Sequence, residues 1–394
     1  MNTISKLIAT LSLPALALAS CANAEDGESP EAIAAADAPY TVEEMGAFDS
    51  PWAIEFIPGS ETLAITEKAG TLKLLRTTTG DTVTVSGVPE VAFGGQGGLG
   101  DIAFLDSEAE RRDARTIYLS WAEMGEGDTR GAVVGKGLLK CVESQTQNDA
   151  NPVCAIEDMD VIWRQAPKVS GRGHYSHRIE VSPDGKYLFV ASGDRQKQSP
   201  AQDKTNTLGT IVRLNLDGTP ADGNPFAAED DVTKEIWSWG HRNILGMDFD
   251  SEDRLWEVEH GPAGGDELNL VQREANYGWP TRSYGDNYNG KPIPDHTEDD
   301  GFTKPATYWN PVIAPGDMVI YSGEMFGPWK GNALITGLAT KALVRVELDG
   351  ENGTATEAAR YDFGKRLRSV AQGPDGAIWV AEDGDGGRVL KVTM

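Results

Sequence analysis

Short apolar runs alternate with tight-turn signals along most of the chain, and the alternation repeats. Asp184-Gly185 precedes Tyr187-Leu188-Phe189-Val190, and Pro374-Asp375-Gly376 precedes Ala377-Ile378-Trp379-Val380, each a turn feeding a run of β character. Looser copies run from Gly59 to Thr66, Arg115 to Trp121, Asp253 to Val258 and Gly331 to Leu338, which makes six. A second strand follows the first in each unit: Leu72 to Leu75, Gly137 to Lys140, Ile211 to Leu214, Leu268 to Val271, Leu343 to Val346 and Val389 to Val392. A third precedes it: Trp52 to Phe56, Leu99 to Phe104, Arg178 to Val181, Ile244 to Phe249, Met318 to Tyr321 and Ser369 to Gln372. Units of roughly 58 residues have the size of four-stranded blades with long loops, so the pattern predicts an all-β chain, a six-bladed β-propeller of four-stranded antiparallel blades. A pair of β-sandwiches is the other architecture with this kind of alternation. No period of 3.6 is sustained over a dozen residues, so helix is minor.

Composition narrows the class. The chain has 394 residues, of which 39% are hydrophobic and 24% charged, a globular balance. Lys and Arg total 35 against 61 Asp and Glu, and the formal net charge of -26 repels phosphate backbones and anionic headgroups, which excludes nucleic acid as a partner. The first residues read as an export signal: Lys6, then an apolar run from Leu7 to Ala19 too short to span a bilayer. Residues 1–21 form a lipoprotein-type signal ending at Cys21, whose lipid would be the only membrane attachment of a periplasmic protein. The alternative is cleavage after Ala24 at Ala22-Asn23-Ala24, releasing a soluble periplasmic form. Cysteine parity favours lipidation, because Cys141 and Cys154 then remain as an even pair able to form a disulfide. Residues 22–38 are acidic, Ala-rich and without period, a flexible tether to a propeller domain at 39–394.

In a propeller the residues just before each innermost strand gather at one mouth of the channel. That rule collects Gln96 and Asp101, His174 and Arg178, Arg242 and Asn243, and Arg366 and Arg368 from four different units. One imidazole and several guanidiniums facing one small volume invert the local sign of an acidic protein, and a compact polyanion is their natural occupant. His174, beside Gly171 and Gly173 in a flexible loop, has the access that a general base needs; His177 lies three residues on and spacing does not separate the two. His241 and His260 read as supports for neighbouring loops, and His296 falls in an acidic surface loop.

A second signal is Glu259-His260-Gly261-Pro262-Ala263-Gly264-Gly265-Asp266-Glu267, where exposed backbone carbonyls beside carboxylates offer the hard oxygens Ca²⁺ prefers; a glycine-rich turn with solvated acids has the same composition. HxxEH, HExxH and CxxC spacings are missing, as are the G-x-S-x-G elbow and the P-loop, and Gly94 to Gly100 precedes a strand and so is no dinucleotide fingerprint.

These segments together resemble the soluble quinoprotein sugar dehydrogenases: the aldose sugar dehydrogenases and, more distantly, soluble glucose dehydrogenase. Gly95-Gln96-Gly97-Gly98-Leu99, Trp239-Gly240-His241-Arg242-Asn243, Glu259 to Val271 with Asn276-Tyr277-Gly278-Trp279-Pro280, and Gly364-Lys365-Arg366-Leu367-Arg368 carry the likeness, which runs from about Trp52 to Val392. The resemblance implies a six-bladed propeller that holds pyrroloquinoline quinone (PQQ) and Ca²⁺ and oxidises aldoses to lactones. It makes His174 the general base, Arg242 the group polarising the quinone carbonyl, and Gln96, Asn243, Arg366 and Arg368 cofactor contacts. Gly261 and Pro262 would give carbonyls to Ca²⁺ with Asp266 as support, and a soluble or membrane electron acceptor would reoxidise the quinone. His177 replaces a small residue usual in the family and narrows the sugar site. A family lysine aligns with Ala339 and a cofactor-contacting hydroxyl residue with Val312; Lys341, two residues beyond Ala339 and so facing the same way on a strand, is the substitute cation. If nothing replaces the lost cation, a non-redox propeller binding a sugar or acid becomes the alternative, as does a calcium-dependent lactonase.

Overall fold

The computed structural model describes residues 30–34, 37–142 and 152–394. Among them every regular element is a strand or a short 3₁₀ turn. The strands form four separate four-stranded antiparallel sheets and one nine-stranded sheet, in which two four-stranded halves are joined by a short parallel pairing of Val85 and Ser86 with Cys154 and Ala155, and the ninth strand, Val169–Ser170, pairs on the side with Thr129–Val142. The six strands Pro51–Phe56, Leu99–Phe104, Ser176–Val181, Ile244–Phe249, Pro315–Ile320 and Leu367–Gln372 each begin one four-stranded unit. Each touches the next, and the last returns to the first, so they close a ring around an axis.

All six begin within two or three residues of the positions read from the sequence. The Asp-Gly turns are where they should be: Gly185 has φ +68° and Gly376 φ +81°, a region in which a side chain costs strain. The ring is fastened by Thr41–Asp49, which pairs antiparallel with Asp385–Thr393 and so puts the start of the domain beside its end. Neighbouring sheets bury apolar layers between them, such as Trp256, Leu268, Met318, Ile320 and Val344. Cys141 and Cys154 are joined in a disulfide across adjacent strands.

The signal segment, Cys21 and the alternative cleavage after Ala24 lie outside the described residues. The stretch expected to tether the domain is fastened before its end: Ile33 donates its N–H to the Arg360 carbonyl at 2.7 Å and accepts from Asp362 N–H at 3.0 Å.

Candidate active site

His174 is delivered by a loop whose backbone is held in an unfavourable conformation. His174, Ser176 and His177 all have positive φ, between +49° and +56°, a combination that persists only when its surroundings fix it. Arg195 does much of the fixing. It is fully buried, lies 3.7 Å over the Tyr175 ring, and donates to the carbonyls of Gly173 (2.9 Å), Gly171 (2.7 Å) and Arg130 (2.5 Å).

The imidazole itself is oriented by Asp194. His174 Nδ1 lies 2.7 Å from Asp194 Oδ1, and the other carboxylate oxygen accepts from Trp279 Nε1 at 2.8 Å. A carboxylate can only accept, so the proton sits on Nδ1 and Nε2 keeps its lone pair. Burial pushes the His174 pKa below its ordinary value, and although the Asp194 bond pulls it up, Arg242 and Arg195 add to the depression. Burial also opposes ionisation of Asp194, yet the His174 and Trp279 bonds outweigh it and hold this carboxyl below the usual range. His174 N–H donates to Gln96 Oε1 at 2.5 Å, which ties the loop to the glycine-rich turn of the preceding unit.

Arg242 reaches the same place from the next unit. Its carbonyl accepts from Asp194 N–H at 2.9 Å, and its guanidinium bonds the His260 carbonyl at 3.0 Å and stands 5.1 Å from the Trp279 ring, while its buried Nε has no partner. Tyr288, from the long insert at 281–304, places its hydroxyl 3.4 Å from this guanidinium. Asn243 Oδ1 accepts from Ser176 N–H at 3.3 Å.

Beside this pair lies a cavity of about 420 Å³ whose walls include Gln96, Asn243, Arg366, Arg368, Lys68 and His260. Both arginines bond Asp383, Arg366 Nε at 2.9 Å and Arg368 Nε at 2.9 Å, so each has an acidic partner and still faces the cavity. The Arg366 side chain is 51% exposed and the Arg368 side chain 13%, which leaves Arg368 as the buried charge of the two. Burial lowers the Arg368 pKa against the pull of Asp383. Lys68, anchored to the Gly95 carbonyl at 3.0 Å, is a third cation that sequence reasoning missed.

Lys341 does not join them. It stands exposed at φ +56° in the turn between strands Ala333–Gly337 and Ala342–Asp349, so the strand alternation that would have carried it round from Ala339 does not exist there. Asp101 and Arg178 are likewise placed elsewhere. Arg178 pairs with Asp101 at 2.8 Å and with Asp317 at 3.3 Å, and all three line a wider cavity on the axis. Glu55, Glu180 and Asp248 line it too, so carboxylates do converge on the axis. Burial, aided by this mutual repulsion, pushes Asp317 to about 6 and Asp248 to about 7.

His177 forms part of the smaller cavity's wall, stacked 4.9 Å from the Trp52 ring with Nδ1 on Ser120 Oγ at 2.9 Å. His260 also lines this cavity, with Nε2 bonded to the Pro315 carbonyl at 2.7 Å; burial, which the Pro315 bond only partly offsets, pushes it to about 3, with Arg242, Arg368 and His174 all contributing. His296 sits in its acidic loop but is buried, 3.1 Å from Asp300. The Asp266 carboxylate is taken up by Gly261 N–H at 2.9 Å and Ala314 N–H at 2.6 Å; it braces the 261–266 turn, and burial pushes it to about 6. Among the described residues no hydrogen bond engages the carbonyls of Gly261 and Pro262, which leaves two hard oxygens next to His260.

A family model described as Glucose / Sorbosone dehydrogenase matches residues 48–391. The chain is 35% identical to the aldose sugar dehydrogenase YliI of Escherichia coli over 367 residues, covering 92% of this chain and 95% of that one. It is 25% identical over 424 residues to quinoprotein glucose dehydrogenase B of Acinetobacter calcoaceticus, covering 87% and 85%. The crystal structure of the soluble aldose sugar dehydrogenase from Escherichia coli in the apo-form superposes with a TM-score of 0.80 at 34% identity, over 90% of this chain and 99% of that one.

Proposed function

Because the chain belongs to the glucose/sorbosone dehydrogenase family, we propose that it oxidises aldose sugars at the anomeric carbon to lactones, using PQQ and Ca²⁺, with His174 as the general base. The observation that carries this reading is a neutral, oriented imidazole beside a cation-lined cavity: His174 held by Asp194 at 2.7 Å, next to about 420 Å³ bordered by Arg366, Arg368 and Lys68. We read the four separate sheets and the two halves of the nine-stranded sheet as six propeller blades around that channel.

The residues present suit the cofactor. A tricarboxylate quinone calls for cations and for donors in the plane of its oxygens, and Arg366, Arg368, Lys68, Gln96 and Asn243 supply both. The orphaned Arg242 Nε is a buried donor in want of an acceptor. Gly261 and Pro262 would hold Ca²⁺ through their carbonyls, with Asp266 fixing their turn. When bound, PQQ supplies a two-electron sink for hydride. The chain's own part is to take the anomeric hydroxyl proton on His174 Nε2, to hold that imidazole through Asp194, and to present the Arg242 charge where an oxyanion develops.

The sugar is the first partner, and an electron acceptor, soluble or membrane-bound, the second. Location in the periplasm, through a lipid on Cys21 or as the soluble form cleaved after Ala24, accords with the Cys141–Cys154 disulfide, because such bonds persist in oxidising compartments. A second reading, calcium-dependent lactone hydrolysis, draws on the carboxylates Glu55, Asp101, Glu180, Asp248 and Asp317 around the wider cavity.

The test is reconstitution. Purified protein given PQQ and Ca²⁺ should reduce a dye with glucose, galactose or xylose, and neither addition alone should suffice; lactone hydrolysis with Ca²⁺ and no quinone would instead support the second reading. In the same titration Lys68→Gln should raise the PQQ concentration for half-activation about tenfold, the loss of one partly exposed cation from an anion site, whereas Lys341→Gln should leave it unchanged.

A further inference from the structure

We propose that His241, Glu257 and Glu259 form a binding site for a divalent cation of the zinc type, separate from the cofactor cavity. His241 follows the strand Ile236–Trp239, and Glu257 and Glu259 alternate on the strand Leu255–Glu259, so both carboxylates project from the same face of that strand. His241 Nδ1 lies 3.4 Å from Glu257 Oε1 and 3.3 Å from Glu259 Oε1, and one donor atom from each residue falls within 4.8 Å of the others. Tetrahedral coordination with bonds of about 2.0–2.2 Å separates neighbouring donors by about 3.3 Å, so the imidazole already stands at ligand distance from both carboxylates.

Unsatisfied atoms point the same way. Glu257 is fully buried, and its Oε2 has no hydrogen-bond partner. Asn269, also fully buried, gives its amide hydrogen to Glu257 Oε1 at 2.6 Å and leaves its own Oδ1 without a partner. Two orphaned acceptors and no orphaned donor in one buried pocket are what a bound cation would satisfy. Glu267 adds a further carboxylate that repels both Glu257 and Glu259, so three acids face one imidazole. A divalent ion offsets that imbalance where a single imidazolium leaves it incomplete. The small donor set with an imidazole in it favours zinc over Ca²⁺, which takes six to eight oxygens.

The outer contacts are those a ligating histidine needs. His241 Nε2 bonds Ser238 Oγ at 2.9 Å, and the ring stacks on Tyr277 with centroids 4.6 Å apart, which aims Nδ1 at the two carboxylates, where a bound ion would displace the proton that Nδ1 gives Glu259 at 3.3 Å. Glu259 Oε2 meanwhile accepts from the backbone N–H groups of Arg242 (2.5 Å) and Asn243 (3.1 Å). The ion would thus clamp the segment that delivers Asn243 to the wall of the smaller cavity and Arg242 beside it.

The experiment uses the full chain, stripped with a chelator and dialysed against Zn²⁺ or Co²⁺ in the presence of excess Ca²⁺. One equivalent of zinc should remain by mass spectrometric metal analysis, and the Co²⁺ form should show the strong visible absorption of four-coordinate cobalt. His241→Gln and Glu257→Gln should each weaken retention at least tenfold, whereas His174→Gln should retain the ion. A wild-type chain that holds no zinc, or zinc held equally by the His241 and Glu257 variants, overturns the site. Should either variant fail to fold, the wild-type cobalt spectrum decides alone, since an ion on surface carboxylates gives only the weak six-coordinate band. None of these readouts depends on dehydrogenase activity.

Discussion

His174→Gln is expected to lower the turnover of the reconstituted enzyme by about 10²–10⁴, the usual contribution of a positioned general base. Glutamine keeps much of the volume and can still meet Asp194, but its amide has no lone pair basic enough to take a proton near neutral pH. Gln96, Asn243, Arg366, Arg368 and Lys68, the cavity residues proposed to hold the cofactor, are untouched. PQQ titration should therefore give wild-type affinity while kcat falls. The pH profile adds a second readout. The base acts as neutral imidazole, so activity is retained above its pKa and lost as pH falls through it. Burial sets that pKa below the ordinary 6.5, and the acid limb of the wild-type enzyme should lie below 6.5 as well. The variant should lack that limb, and turnover equal to the wild type would remove His174 from the chemistry.

The strands were legible because the inner strands are buried on both faces, Leu99–Phe104 completely, and turn sharply at their ends, which writes short apolar runs and Asp-Gly into the chain, as at Asp184-Gly185. Outer strands such as Thr354–Asp362 bury only two of nine residues and carry little of that signal. Position within the repeat brought Gln96, Asn243, Arg366 and Arg368 to the wall of one cavity, with His174 and Arg242 beside it, whereas Asp101 and Arg178 line the other. Both are third residues of their innermost strands, Leu99–Phe104 and Ser176–Val181, and so lie further along the axis than Gln96, His174, Arg242, Asn243 and Arg366, which precede theirs. Asp194, Lys68 and Trp279 come from segments after later strands of their units, which the rule does not sample; only Gly193 separates Asp194 from the strand Tyr187–Ser192 in Ser192-Gly193-Asp194-Arg195. A buried carboxylate in such a loop carries no composition signal and becomes visible only through its four donors.

Those four donors make Asp194→Asn the most discriminating change, with turnover expected to fall about 10³–10⁴, as when a base loses its correct tautomer. Asp194 Oδ1 accepts from His174 Nδ1 at 2.7 Å and Gln196 N–H at 2.7 Å, and Oδ2 accepts from Trp279 Nε1 at 2.8 Å and Gln198 N–H at 3.2 Å. An amide must turn its NH₂ toward one of these pairs. Toward Trp279 and Gln198 it opposes two N–H groups that cannot reverse. Toward His174 and Gln196 it opposes only one, because the imidazole can give up its Nδ1 proton and accept instead. The second arrangement costs less, and it puts the proton on Nε2, where the substrate hydroxyl should find a lone pair. Removing the carboxylate also removes the interactions that hold the His174 pKa up against burial, so the acid limb should move to lower pH even as kcat drops. Wild-type PQQ affinity together with a lower rate and an acid limb at lower pH identifies loss of orientation, whereas an unchanged profile would show that Asp194 has no part in setting the base.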